Sequence, residues 1–134
     1  MPSIFSKIVK GEIPCHKVME DEHYLAFLDI RPINQGHTLV IPKTEIDYIF
    51  DLDQNLLSGL MLFAQKVAVK IKRSVECQRV GIMVAGLEVP HAHVHLIPIN
   101  SVSDLNFALA KPASHEELVN ILEKLQKGVR SCTL

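Results

Sequence analysis

Cysteine is scarce in this chain: only Cys15, Cys77 and Cys132 occur, far apart and with no CxxC pair among them. An odd count without redox or zinc-ribbon spacing argues against a disulfide framework and points to reduced thiols and a cytoplasmic location. Long hydrophobic runs are missing too. No stretch approaches the roughly 20 apolar residues that a bilayer-spanning helix needs. The opening "MPSIFSKIVKGEIP" carries Lys7 and Lys10 and lacks the apolar core of a signal peptide. Nor is there an excess of one charge: the formal net charge is −1, which gives no basis for a protein that coats nucleic acid or a membrane surface. Internal repeats and low-complexity tracts are absent. What remains is an ordinary soluble composition, 48% hydrophobic and 22% charged over 134 residues. That is enough chain to bury one core without staples, so a single domain over 1–134 is expected.

The patterning predicts an α+β fold. "SIFSKIVKGE" reads as a short N-terminal helix, with Ser3 as a possible N-cap and Gly11 near its end. "CHKVME" and "HYLAFLDI" read as two strands around a turn at Asp21-Glu22, and "GHTLVIPK" as a third. Apolar residues at Leu57, Leu60, Ala64, Val67, Ala68, Ile71 and Val75 have helical spacing, predicting a long helix from 53 to about 75. Leu56, Leu57, Leu60, Met61 and Phe63 give that helix more apolar surface than one face needs. "RVGIMVAG" and "AHVHLIPI" read as further strands, and 101–113 as loop. A Ser114–Glu117 capping box then opens a C-terminal amphipathic helix over 114–130, with Leu118, Ile121, Leu122, Leu125 and Val129 on its apolar side. Hairpin-connected strands with one long helix interposed imply an antiparallel sheet.

Against this plain background, "VPHAHVHLIPIN" (89–100) places His91, His93 and His95 at alternate positions, in a chain with only seven histidines. On a strand these three share one face, while Ala92, Val94 and Leu96 pack on the core. One such histidine is unremarkable; three in register call for chemistry. A metal site is one reading, since neighbours about 6.6–6.8 Å apart can bridge one Zn²⁺. The outer pair is about 13 Å apart, however, and Glu88, Glu45 and His37 fall at no recognisable ligand spacing. A catalytic row is the stronger reading. Imidazole has an unperturbed pKa of about 6.5, so a neutral, attacking form exists at physiological pH. Crowding adds to this, because two imidazolium charges about 7 Å apart repel by roughly 2 kcal/mol at an effective dielectric of 20. One ring can attack while a neighbour donates to an oxyanion, which suits phosphoryl or nucleotidyl transfer.

"HAHVHLIPI" resembles the signature of the histidine triad (HIT) family, and "IFSKIVKGEIP", "LAFLDIRPINQGHTLVIPK" and the long helix follow the family's order and spacing over residues 3–100. The approach "GLEVPH" is similar to that of bacterial members. The resemblance implies the family's antiparallel sheet and a nucleotide hydrolase or transferase that requires no cofactor. It implies that His93 attacks the α-phosphorus of a purine nucleotide, that His95 contacts phosphate and leaving-group oxygens, and that His91 orients the nucleophile. Histidine at 95, where the nucleotidyltransferase branch has glutamine, favours hydrolysis of nucleoside phosphoramidates or dinucleoside polyphosphates over transfer. A slow-turnover nucleotide-binding regulator is the alternative. The resemblance also places Asp29 at the ribose hydroxyls, Phe5, Ile8, Ile13, Phe27, Ile30 and Leu39 around the purine, and His37 near the active site. It implies a homodimer in which a strand and the long helix pair across a two-fold axis. Two departures stand out. "VAGLEVPH" is shorter than the usual loop, lacks its asparagine, and puts Glu88 where a serine or threonine often stands. Many bacterial members also hold a structural zinc through an N-terminal CxxC and a histidine after "IPK"; here those positions are Ser3, Ser6 and Glu45, so no metal is expected.

Overall fold

The computed structural model describes residues 2–127. Helix α1 (Ile4–Val9) starts where Ser3 Oγ accepts the Ser6 N–H at 3.0 Å, and the chain leaves through Gly11 at φ +81°. Strands β1 (Lys17–Glu20), β2 (Tyr24–Leu28) and β3 (Thr38–Pro42) follow as antiparallel neighbours. Helix α2 (Gln54–Ser74) then crosses over, capped by Asp53, whose carboxylate accepts the Leu56 N–H at 2.8 Å. Strands β4 (Arg79–Met83) and β5 (Val94–Ile99) complete a five-stranded antiparallel sheet in the order β1-β2-β3-β5-β4. Helix α3 (His115–Lys127) begins with the reciprocal Ser114–Glu117 box, at 2.9 and 3.1 Å. The rest of the expected 114–130 helix, with Val129, lies outside the described residues, as does Cys132.

Alternation along the strands divides the sheet into two faces. Ala26, Leu28, Val40, Val94 and Leu96 point towards α2 and α3 and join Leu60, Phe63, Val67, Ile71, Leu118 and Leu125 in the main core. Leu25, Phe27, Leu39 and Ile41 point the other way, where α1 covers them with Phe5, Ile8 and Val9. Cross-strand register puts Phe27, Leu39 and His95 side by side on this second face, which carries the site.

Several expectations are corrected in detail. The strand over 92–99 starts only at Val94, so His91 and His93 precede it on a segment held by other bonds. The strand over 23–30 stops at Leu28, leaving Asp29 just beyond its end. The loop 101–113 contains two 3₁₀ turns, Val102–Asp104 and Phe107–Leu109, each started by a side chain that accepts a backbone N–H. The spare apolar surface on α2 is smaller than expected, because Leu60 and Phe63 are core and Leu56 and Leu57 pack against it; of the five, Met61 is left exposed.

Candidate active site

A cavity of about 260 Å³ opens on the α1 face of the sheet. Phe5, Ile8, Ile13, Phe27, Asp29, Ile30 and Leu39 all line it, together with His93 and His95. Of the residues expected here, His37 and His91 are not in the lining; each lies behind a residue that is. Glu88 and Val89 form part of the wall, and Ile4 and Cys15 also contribute. A larger cavity, about 570 Å³, lies between Tyr48, Phe50, Met61, Met83 and Val84 and touches His93 alone of the expected residues. The smaller one therefore brings together the apolar walls, the carboxylate and two imidazoles, and it is the candidate site.

The three alternate histidines are all buried. Each is held by a different partner, and the partners fix where the ring protons sit. His93 Nδ1 lies 2.7 Å from the His91 carbonyl oxygen, which can only accept, so Nδ1 carries a hydrogen and the neutral form of the ring has its lone pair on Nε2. His91 Nε2 donates to the Pro42 carbonyl at 2.8 Å, which leaves its Nδ1 to accept from Ser3 Oγ at 2.8 Å. The third ring is set by a relay. The Ile33 N–H donates to His37 Nδ1 at 3.0 Å, so His37 Nε2 carries the hydrogen and donates to His95 Nδ1 at 2.9 Å. His95 is then left with its own hydrogen on Nε2. Phe107 packs edge-on to His95 at 4.8 Å and Phe5 edge-on to His93 at 5.1 Å. Phe107 is a neighbour that sequence reasoning missed, since it stands alone in a stretch read as loop.

Burial dominates the electrostatics. It lowers the pKa of His95 to about 3, with the charges of His37 and His93 adding to the effect. It lowers His37 to about 4 and pushes His91 down as well. Loss of solvation, more than crowding among the imidazoles, causes the shift at His95. His37 and His95 are therefore neutral at physiological pH. Burial also raises the Asp29 pKa, opposed by the Arg31 N–H that its Oδ1 accepts at 2.9 Å and reinforced by the charge of Glu88. Asp29 makes this turn bond to the Arg31 backbone, while its Oδ2 stands 3.5 Å from His37 Nε2.

Two places could be asked to hold a metal. Among the described residues, ligand atoms of Asp29, His37 and His95 lie within 4.8 Å of one another. The 2.9 Å between His37 Nε2 and His95 Nδ1 is a hydrogen-bond distance, whereas two nitrogens on one tetrahedral zinc stand roughly 3.3 Å apart, given bonds of about 2.0–2.1 Å. The other place is where the resemblance puts the structural zinc of many bacterial members. Ser3, Ser6 and Glu45 do converge, and His91 completes the group. Two hydroxyls and a carboxylate are a poor zinc donor set; the Ser6 hydroxyl is already bonded to Glu45, and the His91 lone pair already accepts a hydrogen from Ser3. These residues do not fit the ion.

A family profile described as HIT domain matches residues 10–102. A solved structure of a HIT-like protein from Bartonella henselae is 30% identical, covers 95% of this chain and 96% of its own, and superposes with a TM-score of 0.84. A zinc-bound histidine triad family protein from Mycobacterium smegmatis is likewise 30% identical, covering 92% of this chain and 93% of its own at a TM-score of 0.76. Among named relatives, the adenosine 5'-monophosphoramidase HNT1 of Saccharomyces cerevisiae is 40% identical over 71% of this chain and 61% of its own.

Proposed function

The chain belongs to the histidine triad family of nucleotide-binding hydrolases and transferases, and from that premise we propose that it hydrolyses purine nucleoside phosphoramidates through a nucleotidyl-His93 intermediate. The observation that carries this reading is the 2.7 Å bond from His93 Nδ1 to the His91 carbonyl. It leaves the Nε2 lone pair of a ring that lines the same cavity as Asp29 and the apolar walls. With the purine between Phe5, Ile8, Phe27 and Leu39 and the ribose hydroxyls on Asp29, the α-phosphorus comes to His93. Nε2 attacks, a bond from His93 to phosphorus forms, the phosphorus–nitrogen bond of the phosphoramidate breaks, and the amine departs with a proton from solvent that the water of the second step restores. His95, neutral and carrying its hydrogen on Nε2, donates to a phosphate oxygen as charge builds there. Water then attacks phosphorus, the bond to His93 breaks, and a mononucleotide is released. Across both steps one water is added to the scissile bond.

Glu88 supports a phosphoramidate over a dinucleoside polyphosphate. It lines the cavity beside His93 and His95, and its charge is felt at Asp29. A polyphosphate tail would bring further negative charge to this wall, whereas an amine leaving group brings none. The activity named for the yeast relative agrees with this choice. The reading includes a cytoplasmic homodimer. None of the described helices is long and apolar enough to cross a membrane. Edge strand β4 exposes Ile82, the segment after it Val84, and α2 Met61 and Leu62, an apolar surface for a second copy.

The test is single-turnover kinetics on an adenosine phosphoramidate with intact-mass detection of the adduct. Wild type should accumulate one nucleotidyl group per chain. His93→Ala should lose turnover by about 1,000-fold or more while AMP affinity changes little. Asp29→Ala should do the reverse, weakening AMP by roughly 1.5–3 kcal/mol. A His93→Ala rate above about a tenth of wild type, a loss under about 1.4 kcal/mol, would end the covalent reading.

A further inference from the structure

Behind the cavity wall, three elements distant in sequence meet in one hydrogen-bonded knot. Glu45, on the segment after β3, accepts from the Ser3 N–H at 2.7 Å and from Ser6 Oγ at 2.5 Å, both at Oε1. Ser3 Oγ accepts the Ser6 N–H at 3.0 Å and gives its own hydrogen to His91 Nδ1 at 2.8 Å. His91 passes the sense of the chain on, donating from Nε2 to the Pro42 carbonyl at 2.8 Å. One residue later the Ala92 N–H donates to the Ile46 carbonyl at 2.7 Å, so the segment between the first two histidines is fixed from both sides. Every hydrogen in the knot has one direction. Pro42 can only accept, so His91 Nδ1 must accept, so Ser3 must donate, and Ser6 is left to satisfy Glu45.

We propose that Ser3, Ser6 and Glu45 are positioning residues for the nucleophile, doing without a metal what a zinc site at this place would do. The proposal rests on the hydrolase reading above, since it concerns the reactivity of His93. The chain of cause is short. The knot fixes the His91 ring and backbone, and the His91 carbonyl holds His93 Nδ1–H. The same knot seats α1, whose Phe5 packs edge-on to both His91 and His93, at 5.8 and 5.1 Å. Ser3 and Ser6 are buried, so water is a poor substitute for any bond removed. Two serines in a first helical turn would otherwise be read as ordinary capping residues, but only one of them caps; the other faces Glu45.

The test uses Ser3→Ala, Ser6→Ala, Glu45→Ala and Glu45→Gln, assayed well below their melting temperatures. Ser3→Ala and Glu45→Ala should slow nucleotidyl-His93 formation about 10-fold with AMP affinity changed less than about threefold, the loss expected for one or two buried hydrogen bonds. Ser6→Ala, which keeps the bond to His91, should be milder. Glu45→Gln keeps an acceptor at the same place and should recover most of the rate. Nitrogen-15 NMR of the imidazoles supplies a readout that needs no substrate. Wild type should show His91 protonated at Nε2 and His93 at Nδ1, and Ser3→Ala should broaden or mix both patterns. This separates the two readings: if no adduct forms in wild type, the hydrolase reading fails, while the NMR still decides the positioning. Wild-type rate should be indifferent to chelator and to added zinc. Installing thiolates and an imidazole, as Ser3→Cys with Ser6→Cys and Glu45→His, should create a site for one zinc per chain. Folded Ser3→Ala and Glu45→Ala proteins with wild-type rates and unchanged imidazole spectra would overturn the proposal. So would a wild-type enzyme that loses its activity when zinc is stripped.

Discussion

Gly59→Ala should destabilise the protein, although a glycine inside a helix is normally improved by alanine. The substitution is worth about 0.8–1.0 kcal/mol in helix propensity. Here the new Cβ would stand 2.1 Å from Tyr24 Oη, 2.9 Å from Cζ and 3.1 Å from Cε2. Tyr24 cannot step aside freely. Its hydroxyl donates to the Leu56 carbonyl at 2.9 Å and its ring packs on Phe63 with centroids 5.6 Å apart, buried in the main core. Moving it forfeits that hydrogen bond, about 1–3 kcal/mol if the hydroxyl stays buried without a partner. Overpacking adds about 1–3 kcal/mol. Setting the propensity gain against these leaves a net loss of about 1–5 kcal/mol, which for a domain of this size lowers the melting temperature by roughly 10 °C at the middle of the range. Urea unfolding of wild type, Gly59→Ala, Tyr24→Phe and the double variant measures it. Phenylalanine removes the 2.1 Å contact but leaves the 2.9 Å one, so the double variant should lose at least about 1 kcal/mol less than the sum of the singles. A Gly59→Ala protein as stable as wild type, or additive behaviour in the cycle, would refute this reasoning.

Two further outcomes are expected. Stability should fall as pH drops from about 6.5 towards 4, because His37 and His95 have folded pKa values near 4 and 3 and the unfolded chain therefore binds more protons in that window. His91 acts in the same direction, and Asp29, whose pKa is raised, in the opposite one; a melting temperature flat between pH 6.5 and 4.5 would contradict the balance. In sedimentation at micromolar concentration the protein should run as a dimer, and replacing Ile82 and Met61 by charged residues should dissociate it; a monomeric wild type would remove the homodimer from the proposal.

Local signals were legible because they are short-range. Ser3 and Ser114 cap their helices as their positions predict, and Leu60, Ala64, Val67 and Ile71 face the core as a 3.6-residue period requires. Sheet membership of the alternating segments was legible for the same reason. What stayed hidden depends on partners far along the chain. Nothing near His91 announces Ser3, which lies 88 positions away, and nothing near His95 announces His37, which lies 58 away. The start of β5 is not legible, because alternation continues unbroken through His91–His95 while pairing with β3 and β4 begins only at Val94 or later. Burial was the other missing quantity. Composition cannot say that α1 covers the second face of the sheet, so the desolvation that lowers the His95 pKa is not readable from the spacing of the imidazoles.

Three identical side chains at alternate positions fit different tasks in the proposed mechanism because their surroundings differ. A nucleophilic imidazole needs a lone pair directed at open space, and two of the three rings have none to offer. His91 has one nitrogen donating to Pro42 and the other accepting from Ser3, and it does not line the cavity. His95 lines the cavity, but its lone pair is occupied by His37, so what it turns outward is an N–H. His93 has its hydrogen tied to a carbonyl, and among the described residues nothing donates to its other nitrogen. Exchanging any one of these partners would exchange the role: an acceptor opposite His95 Nδ1 would turn that ring into a second base, and two lone pairs would then compete for one phosphorus with no donor left for its oxygens. His37, outside the motif and outside the cavity, is therefore as much a part of the proposed chemistry as the histidines that point into it.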